Sequence, residues 1–112
     1  MDPKLKKRWV DNLRSGKFKK CRHALYTDGR YSALAVLAVM TGHGKEVPGG
    51  GMKFAGSPVV RRKELPKNVL EKLGISNGLE LQLTQINDGT GKYAGMRRTS
   101  FKQVAKFIEE HV

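Results

Sequence analysis

Hydrophobic residues recur at helical spacing near both ends of the chain. Leu5, Trp9 and Leu13 lie four residues apart, which predicts a helix with one buried face and with Trp9 as a core anchor. Asp2 is placed to cap this helix. Near the other end, Ser100 forms a capping-box pattern with Gln103, and apolar residues then follow at helical spacing. Both ends are therefore predicted to be amphipathic helices.

The pattern between these helices starts with a predicted hairpin and a central helix. Asp28-Gly29 separates two short runs that contain Tyr26 and Tyr31, and it favours a hairpin turn because both turn residues tolerate positive φ. Ser32 precedes a predicted helix over residues 33–41, of which the first eight residues are all apolar. Its alanines favour helix, and its apolar character on all sides predicts a position at the centre of the fold.

The second half of the chain is predicted to hold one helix and one strand before the final helix. Residues 66–74 begin with Pro and end with Gly, which predicts a helix. Over residues 79–84, leucines alternate with polar residues, a pattern typical of a strand with one buried face. We therefore predict a single α+β domain over residues 1–112, with three to four helices packed on a small antiparallel sheet.

Residues 42–58 interrupt this pattern with six glycines and two prolines. Such a segment cannot be a regular helix or strand throughout, and it is predicted to be a mobile glycine-rich loop. It lacks the glycine spacing of a phosphate-binding P-loop, and Glu46 follows Lys45 where that loop needs Ser or Thr. Its amides near Lys45 and Lys53 could still form an anion-binding nest.

The net charge of the chain says more about its function than its overall composition does. The chain carries 22 Lys and Arg against 10 Asp and Glu, a formal net charge of +12. Repulsion among so many like charges destabilises a small fold, so the surplus indicates contact with an anionic partner. Lysine and arginine bind phosphates through counterion release, and arginine adds bidentate contacts. The residues predicted to bind nucleic acid or another anion are Lys7, Arg8, Arg14, Lys17, Lys19, Lys20, Arg22, Arg61, Arg62, Arg97 and Arg98.

Other chemistries find less support in the sequence. Histidines and the single cysteine do not occur in the paired spacing of a structural zinc site, so we expect neither a metal nor another cofactor. Cys21 lies among Lys19, Lys20 and Arg22, whose charge would favour its thiolate, but no catalytic constellation accompanies it. The longest apolar run has eight residues, against about 20 for a membrane span. We expect a non-enzymatic protein of the host cytoplasm without membrane insertion.

Several motifs follow one another in a distinctive order along the chain. A Trp is followed by Leu-Arg-Ser-Gly and an aromatic residue within residues 9–20. A Tyr-led apolar block follows at 31–37, then a Leu-Pro helix at 65–74. An Asn-Asp turn at 86–89 and a Ser-Phe helix at 100–109 complete the order. In this order the motifs resemble a widespread group of small, uncharacterised bacteriophage proteins, which implies a phage-encoded protein and does not imply an activity.

The chain departs from that group in one respect and is similar to a second group in another. The phage proteins often have cysteines in the Tyr-led block, where this chain has Ser32, Ala33 and Ala38, so no role of those cysteines carries over. Residues 65–75 with the following leucine-rich segment are similar to the swapped-hairpin transition regulators, which bind DNA as dimers. That second resemblance covers about a quarter of the chain.

Together these features lead to a ranked set of functional hypotheses. The first is a phage-encoded accessory protein that binds nucleic acid, or a nucleic-acid-handling host complex such as a CRISPR or other defence complex. The second is a protein that sequesters a small nucleotide signal between the glycine loop and the arginines. The third is an inhibitor whose basic face docks on an acidic host protein. An enzyme that uses Cys21 comes last.

Overall fold

The computed structural model describes residues 1–95 and 99–112. These residues form five α-helices, a short 3₁₀ helix at Gly91–Tyr93 and five short strands. The helices are α1 (Pro3–Arg14), α2 (Ala33–Met40), α3 (Lys67–Leu73), α4 (Asn77–Asp88) and α5 (Phe101–His111). The strands are β1 (Lys19–Lys20), β2 (Tyr26–Thr27), β3 (Arg30–Tyr31), β4 (Gly44–Glu46) and β5 (Met52–Phe54).

The strands form two small sheets. β1, β3 and β2 make a mixed sheet in that order, in which β1 is parallel to β3 and β2 is antiparallel to it. β4 and β5 form a separate antiparallel pair. The predicted α+β class is confirmed. The prediction of three to four helices on one antiparallel sheet is wrong, because a fifth helix, α4, replaces a predicted strand and the larger sheet contains a parallel pair.

Helix α2 lies at the centre of the core, as its apolar sequence predicted. Its residues from Ala33 to Ala38 are all buried. Trp9 on α1 is 0% exposed and donates its indole N–H to the carbonyl oxygen of Ala33 at 2.9 Å. The predicted role of Trp9 as a core anchor is confirmed, and the bond ties α1 to the start of α2.

The predicted caps and the hairpin turn are also confirmed. Asp2 Oδ2 accepts from Leu5 N at 3.1 Å, and Ser32 Oγ accepts from Ala35 N at 3.1 Å. Ser100 and Gln103 form the reciprocal capping box at the start of α5. Asp28 and Gly29 both have positive φ, 50° and 75°, as a tight hairpin turn with that sequence requires.

The predicted strand over residues 79–84 is wrong, because these residues belong to α4. Ser76 Oγ caps this helix by accepting from Leu79 N at 3.1 Å. Leu79, Leu83 and Ile86 follow helical spacing, and Leu83 and Ile86 are buried, whereas Leu81 is 59% exposed. The alternating leucines fit a strand equally well, but Leu, Glu and Gln are all good helix formers. The likeness to the swapped-hairpin regulators therefore loses its leucine-rich strand.

The glycine-rich segment 42–58 contains both β4 and β5. Met52 and Phe54 are buried in the core. Met52 also exchanges two backbone hydrogen bonds of 2.8 Å with Arg61, and Gly51 N donates to Tyr26 O at 2.8 Å. The middle of the segment is thus packed against the domain, and the mobility of its remaining residues stays a prediction. None of the helices in residues 1–95 and 99–112 is long and apolar enough to cross a membrane.

Candidate nucleic-acid interface

The three-stranded sheet has a basic outer face. Lys19 lies opposite Arg30, and Arg30 lies opposite Thr27, so these residues share one face because cross-strand partners point the same way. Lys19 and Arg30 are exposed. Neighbouring strands lie about 4.8 Å apart, a spacing that brings the two cations together on the surface.

The opposite face of this sheet is aromatic and partly buried. Tyr31 packs against Tyr26 with ring centroids 4.9 Å apart and against Phe18 with centroids 5.0 Å apart. Its hydroxyl donates to Glu46 Oε2 at 2.5 Å, and burial together with this bond raises the pKa of Tyr31 above its usual range. The aromatic residues fix the sheet on the domain, so they are not free to stack on bases.

Arg62 extends the basic face beyond β2. Leu25 N donates to Arg62 O at 2.8 Å, which holds the basic triplet Arg61-Arg62-Lys63 beside the hairpin. A Cβ built on Gly50 would lie 3.6 Å from Arg62 Nη1 and 3.9 Å from Thr27 Oγ1. The guanidinium therefore lies near Thr27 and over the turn that contains Gly49, Gly50 and Gly51, which we name the glycine turn. We name Lys19, Arg30 and Arg62 the basic strip; all three are exposed and form no ion pair with the described residues.

The predicted binding residues of α1 do not join the strip. Lys7 Nζ pairs with Asp11 Oδ2 at 3.0 Å, and Arg14 pairs with Glu109 of α5. The Arg14 pair lowers the pKa of Glu109 and raises that of Arg14. Arg8 reaches the carbonyl oxygen of Met40 at 3.5 Å, at the end of α2. Two of these three side chains thus have their charges paired by a carboxylate.

The remaining predicted residues are divided between several places. Lys17 is exposed just before β1, and Arg61 is exposed beside its backbone pairing with Met52. Lys20 is half-buried, and its burial lowers its pKa. Arg22 donates from Nε to the carbonyl oxygen of Asp88 at 3.1 Å. Arg97 and Arg98 lie outside the described residues.

A cleft adjoins the strip at Arg62 and consists of two neighbouring cavities. The first, which we name the basic chamber, has a volume of about 180 Å³. The second, which we name the polar chamber, has a volume of about 100 Å³. His23, Ala24 and Lys63 line both. The basic chamber is completed by Tyr26, Thr27, Gly49, Gly50, Gly51 and Arg62, and the polar chamber by Ser32, Ala33, Leu34, Leu83, Thr84, Asn87 and Asp88.

The last two residues of α4 hold the cleft together. Asn87 Oδ1 accepts from Ala33 N at 3.1 Å, and its Nδ2 donates to Cys21 O at 3.2 Å. Asp88 Oδ1 accepts from His23 N at 2.9 Å. His23 has φ 61°, a conformation that costs a non-glycine residue about 1–3 kcal/mol, and this bond helps to hold it there. The Asn-Asp pair that was predicted to form a turn is thus the last two residues of α4. The helix ends at Gly89, which has φ 68°.

Sequence reasoning missed two residues of this surface, Arg30 and Lys63. Arg30 was predicted only as part of the hairpin, and it reaches Lys19 through the parallel pairing of β1 with β3. Parallel pairing joins segments that are separated along the chain and has no local sequence signal. Lys63 belonged to a recognised basic triplet, but nothing in the sequence indicated that it lines a cleft beside His23.

Cys21 is placed as a core residue. It is buried, with its Sγ 3.3 Å from the carbonyl oxygen of Ala24. Burial raises the pKa of the Cys21 thiol despite the opposing influence of Lys20. The expectation that neighbouring cations favour the thiolate is therefore wrong, since desolvation outweighs their attraction.

This burial predicts slow alkylation of Cys21. At pH 8, iodoacetamide should modify the folded protein at least tenfold more slowly than the protein in 6 M guanidinium, because the thiol is both neutral and covered. Mass spectrometry of the time course measures both rates. Equal rates would show that the thiol is accessible and would reopen a reactive role for Cys21.

Among residues 1–95 and 99–112, no group of three or more His, Cys, Asp and Glu is placed to hold a metal ion. No protein-family model, curated protein or solved structure matches this chain.

Proposed function

We propose that this protein is a non-enzymatic accessory protein, encoded by a bacteriophage, that binds the phosphate backbone of nucleic acid through the basic strip. The nucleic acid is either free or held in a host nucleic-acid-handling complex. The phage origin rests on the motif resemblance between residues 9 and 109. The binding mode rests on one observation above the others: Lys19, Arg30 and Arg62 line up on one exposed face without a carboxylate partner among the described residues.

Unpaired cations favour this function over a merely solvated surface. The described ion pairs neutralise Lys7 and Arg14 elsewhere, while the strip keeps its full charge. A folded protein gains nothing from placing Lys19 directly opposite Arg30, since like charges opposite each other in a sheet are destabilising. A polyanion that lies across the strip removes that repulsion and releases counterions.

Removing two charges from the strip tests the proposal. In a Lys19→Gln/Arg30→Gln variant, the slope of log K against log salt should become shallower by about 1.4–1.8, because each lost phosphate contact removes about 0.7–0.9. If the two proteins bind equally at 1 M salt, this change corresponds to roughly a 25- to 60-fold loss of affinity at 0.1 M salt. Fluorescence anisotropy with labelled single- and double-stranded DNA and RNA, titrated across salt, measures both quantities.

The matched control removes two charges far from the strip. Lys4 lies in the first turn of α1, and Lys72 lies near the end of α3, where a Cβ on Gly74 would lie 3.3 Å from Met1. The 12-residue α1 is about 18 Å long and separates this end from β1. Lys4→Gln/Lys72→Gln should therefore change the slope far less. Equal effects of the two variants, or binding that ignores salt, would contradict the proposal.

A further inference from the structure

We propose that the cleft beside the basic strip binds one ribose 5′-phosphate unit, with the phosphate in the basic chamber and the ribose in the polar chamber. The same chemistry comes from two sources, the 5′-phosphorylated end of an RNA strand and a free nucleoside 5′-monophosphate. If the ligand is the end of an RNA strand, this inference rests on the proposed function. If the ligand is a free nucleotide, the inference is independent of the proposed function.

The charge of the basic chamber suits a terminal phosphate. Arg62 and Lys63 bring two basic side chains to a chamber that His23 and Thr27 also line. A phosphomonoester carries a charge of about −1.5 to −2 at pH 7, whereas each phosphodiester inside a strand carries one negative charge. The chamber therefore matches the end of a strand or a free nucleotide better than it matches an internal phosphate.

The glycine turn opens the chamber to an oxyanion. Gly49, Gly50 and Gly51 all have positive φ, and the three residues form one wall of the chamber without side chains. A Cβ on Gly50 would approach Arg62 Nη1 to 3.6 Å, on the side where the guanidinium faces the turn. The absence of side chains leaves that space to a ligand and lets the guanidinium fork face it.

Size limits the part of the ligand that the cleft holds to one phosphate and one sugar. The chambers measure about 180 and 100 Å³, and each is smaller than the roughly 300 Å³ at which pockets for drug-sized ligands begin. A phosphate and a sugar fit such chambers in sequence, and the base or the rest of a strand lies outside. A cyclic dinucleotide contains only phosphodiesters, each with one negative charge, and so lacks the terminal phosphate that the basic chamber suits.

The polar chamber offers an acceptor for ribose hydroxyls. The Asp88 side chain is 11% exposed, and its Oδ1 already accepts from His23 N and from Asn87 Nδ2. Its Oδ2 receives no hydrogen bond from the described residues and lies 3.7 Å from His23 Nδ1. A partly buried carboxylate oxygen with spare capacity favours a hydroxyl donor. The 2′-hydroxyl supplies one in both sources, and the 3′-hydroxyl supplies a second only in the free nucleotide.

The first part of the test compares ligands that differ only in the phosphate. Anisotropy compares a 5′-phosphorylated 12-nucleotide RNA with the same RNA ending in a 5′-hydroxyl. Isothermal titration calorimetry compares AMP and UMP with adenosine and uridine. We expect the 5′-phosphate to strengthen RNA binding at least fivefold, AMP and UMP to bind, and the nucleosides not to bind.

The second part compares two lysines that lie four positions apart in the sequence. Lys63 lines both chambers and lies outside the basic strip, whereas Lys67 is exposed and lines neither chamber. Lys63→Gln should remove the preference for the 5′-phosphate, so that the two RNAs bind with equal affinity. Lys67→Gln removes the same charge and should keep the preference.

The possible outcomes separate this inference from the proposed function. Equal affinity for the two RNAs together with no binding of AMP or UMP would overturn the cleft while leaving the strip intact. A preference that survives in Lys63→Gln would also overturn it. Binding of AMP that Lys63→Gln abolishes, in a protein that binds no strand at all, would support the cleft and overturn the proposed function. A preference for the phosphorylated strand that depends on Lys63 would support both.

Discussion

Replacing Trp9 by alanine is expected to lower the free energy of unfolding by about 3–5 kcal/mol. The side chain is 0% exposed between α1 and α2, and its indole N–H is bonded to Ala33 O at 2.9 Å. The substitution leaves a cavity in the centre of the core and also removes this bond. Domains of this size are stable by only about 5–15 kcal/mol, so the variant should be close to unfolding. Guanidinium denaturation followed by far-UV circular dichroism measures the change. Tryptophan fluorescence cannot be used, because the variant lacks the chain's only tryptophan.

A Trp9→Phe variant separates the two causes. Phenylalanine keeps much of the buried apolar area but lacks the N–H donor, so we expect a loss of about half the alanine effect. An alanine variant that unfolds within 1 kcal/mol of the parent would contradict the packing around Trp9, whatever the result for phenylalanine.

Replacing Asn87 by alanine is expected to lower the free energy of unfolding by about 2–6 kcal/mol. The amide is 2% exposed and connects three parts of the fold, because it accepts from Ala33 N and donates to Cys21 O and to Asp88 Oδ1. Its removal leaves a buried N–H and a buried C=O without this partner, at about 1–3 kcal/mol each. Urea denaturation followed by tryptophan fluorescence measures the loss.

The same variant has a predicted effect on the cleft. Asn87 orients Asp88, and Asp88 holds the backbone of His23. Below its unfolding transition, Asn87→Ala should therefore lose the preference for 5′-phosphorylated RNA while keeping the salt-dependent binding of the strip. Asn68→Ala, on the exposed face of α3, is the control and should stay within about 0.5 kcal/mol of the parent. Similar denaturation midpoints for the two variants would contradict the proposed role of the Asn87 amide in holding these parts of the fold together.

Local signals in the sequence predicted the elements that they control directly. Asp2, Ser32 and Ser100 act on backbone N–H groups three residues ahead, so a short stretch of sequence is enough to recognise each cap. The Asp28-Gly29 turn is equally local. The leucines over residues 79–84 were ambiguous, because the leucine, glutamate and glutamine there also favour helix. Ser76 capped a helix at this point, and burial of Leu83 with Ile86 gave that helix its packing.

The candidate site, like the fold, was predicted only in part from the sequence. The excess of positive charge and the basic runs are properties of the sequence, and they predicted Lys19 and Arg62 as binding residues. Which cations remain unpaired depends on distant carboxylates, as the Arg14 pair with Glu109 shows. The sequence gives no sign of that pair, because the two residues are separated by almost the whole chain.

The caps, the terminal amphipathic helices, the buried central helix and the surplus of charge can all be predicted from the sequence, since each depends on neighbouring residues or on composition. The parallel pairing of β1 with β3, which sets Lys19 beside Arg30, and the meeting of Arg62 and Lys63 with His23 at a cleft depend on the folded structure. The support that Asn87 and Asp88 give to that cleft depends on it as well. These arrangements come from packing around the central helix α2, which brings together segments that are far apart in the chain.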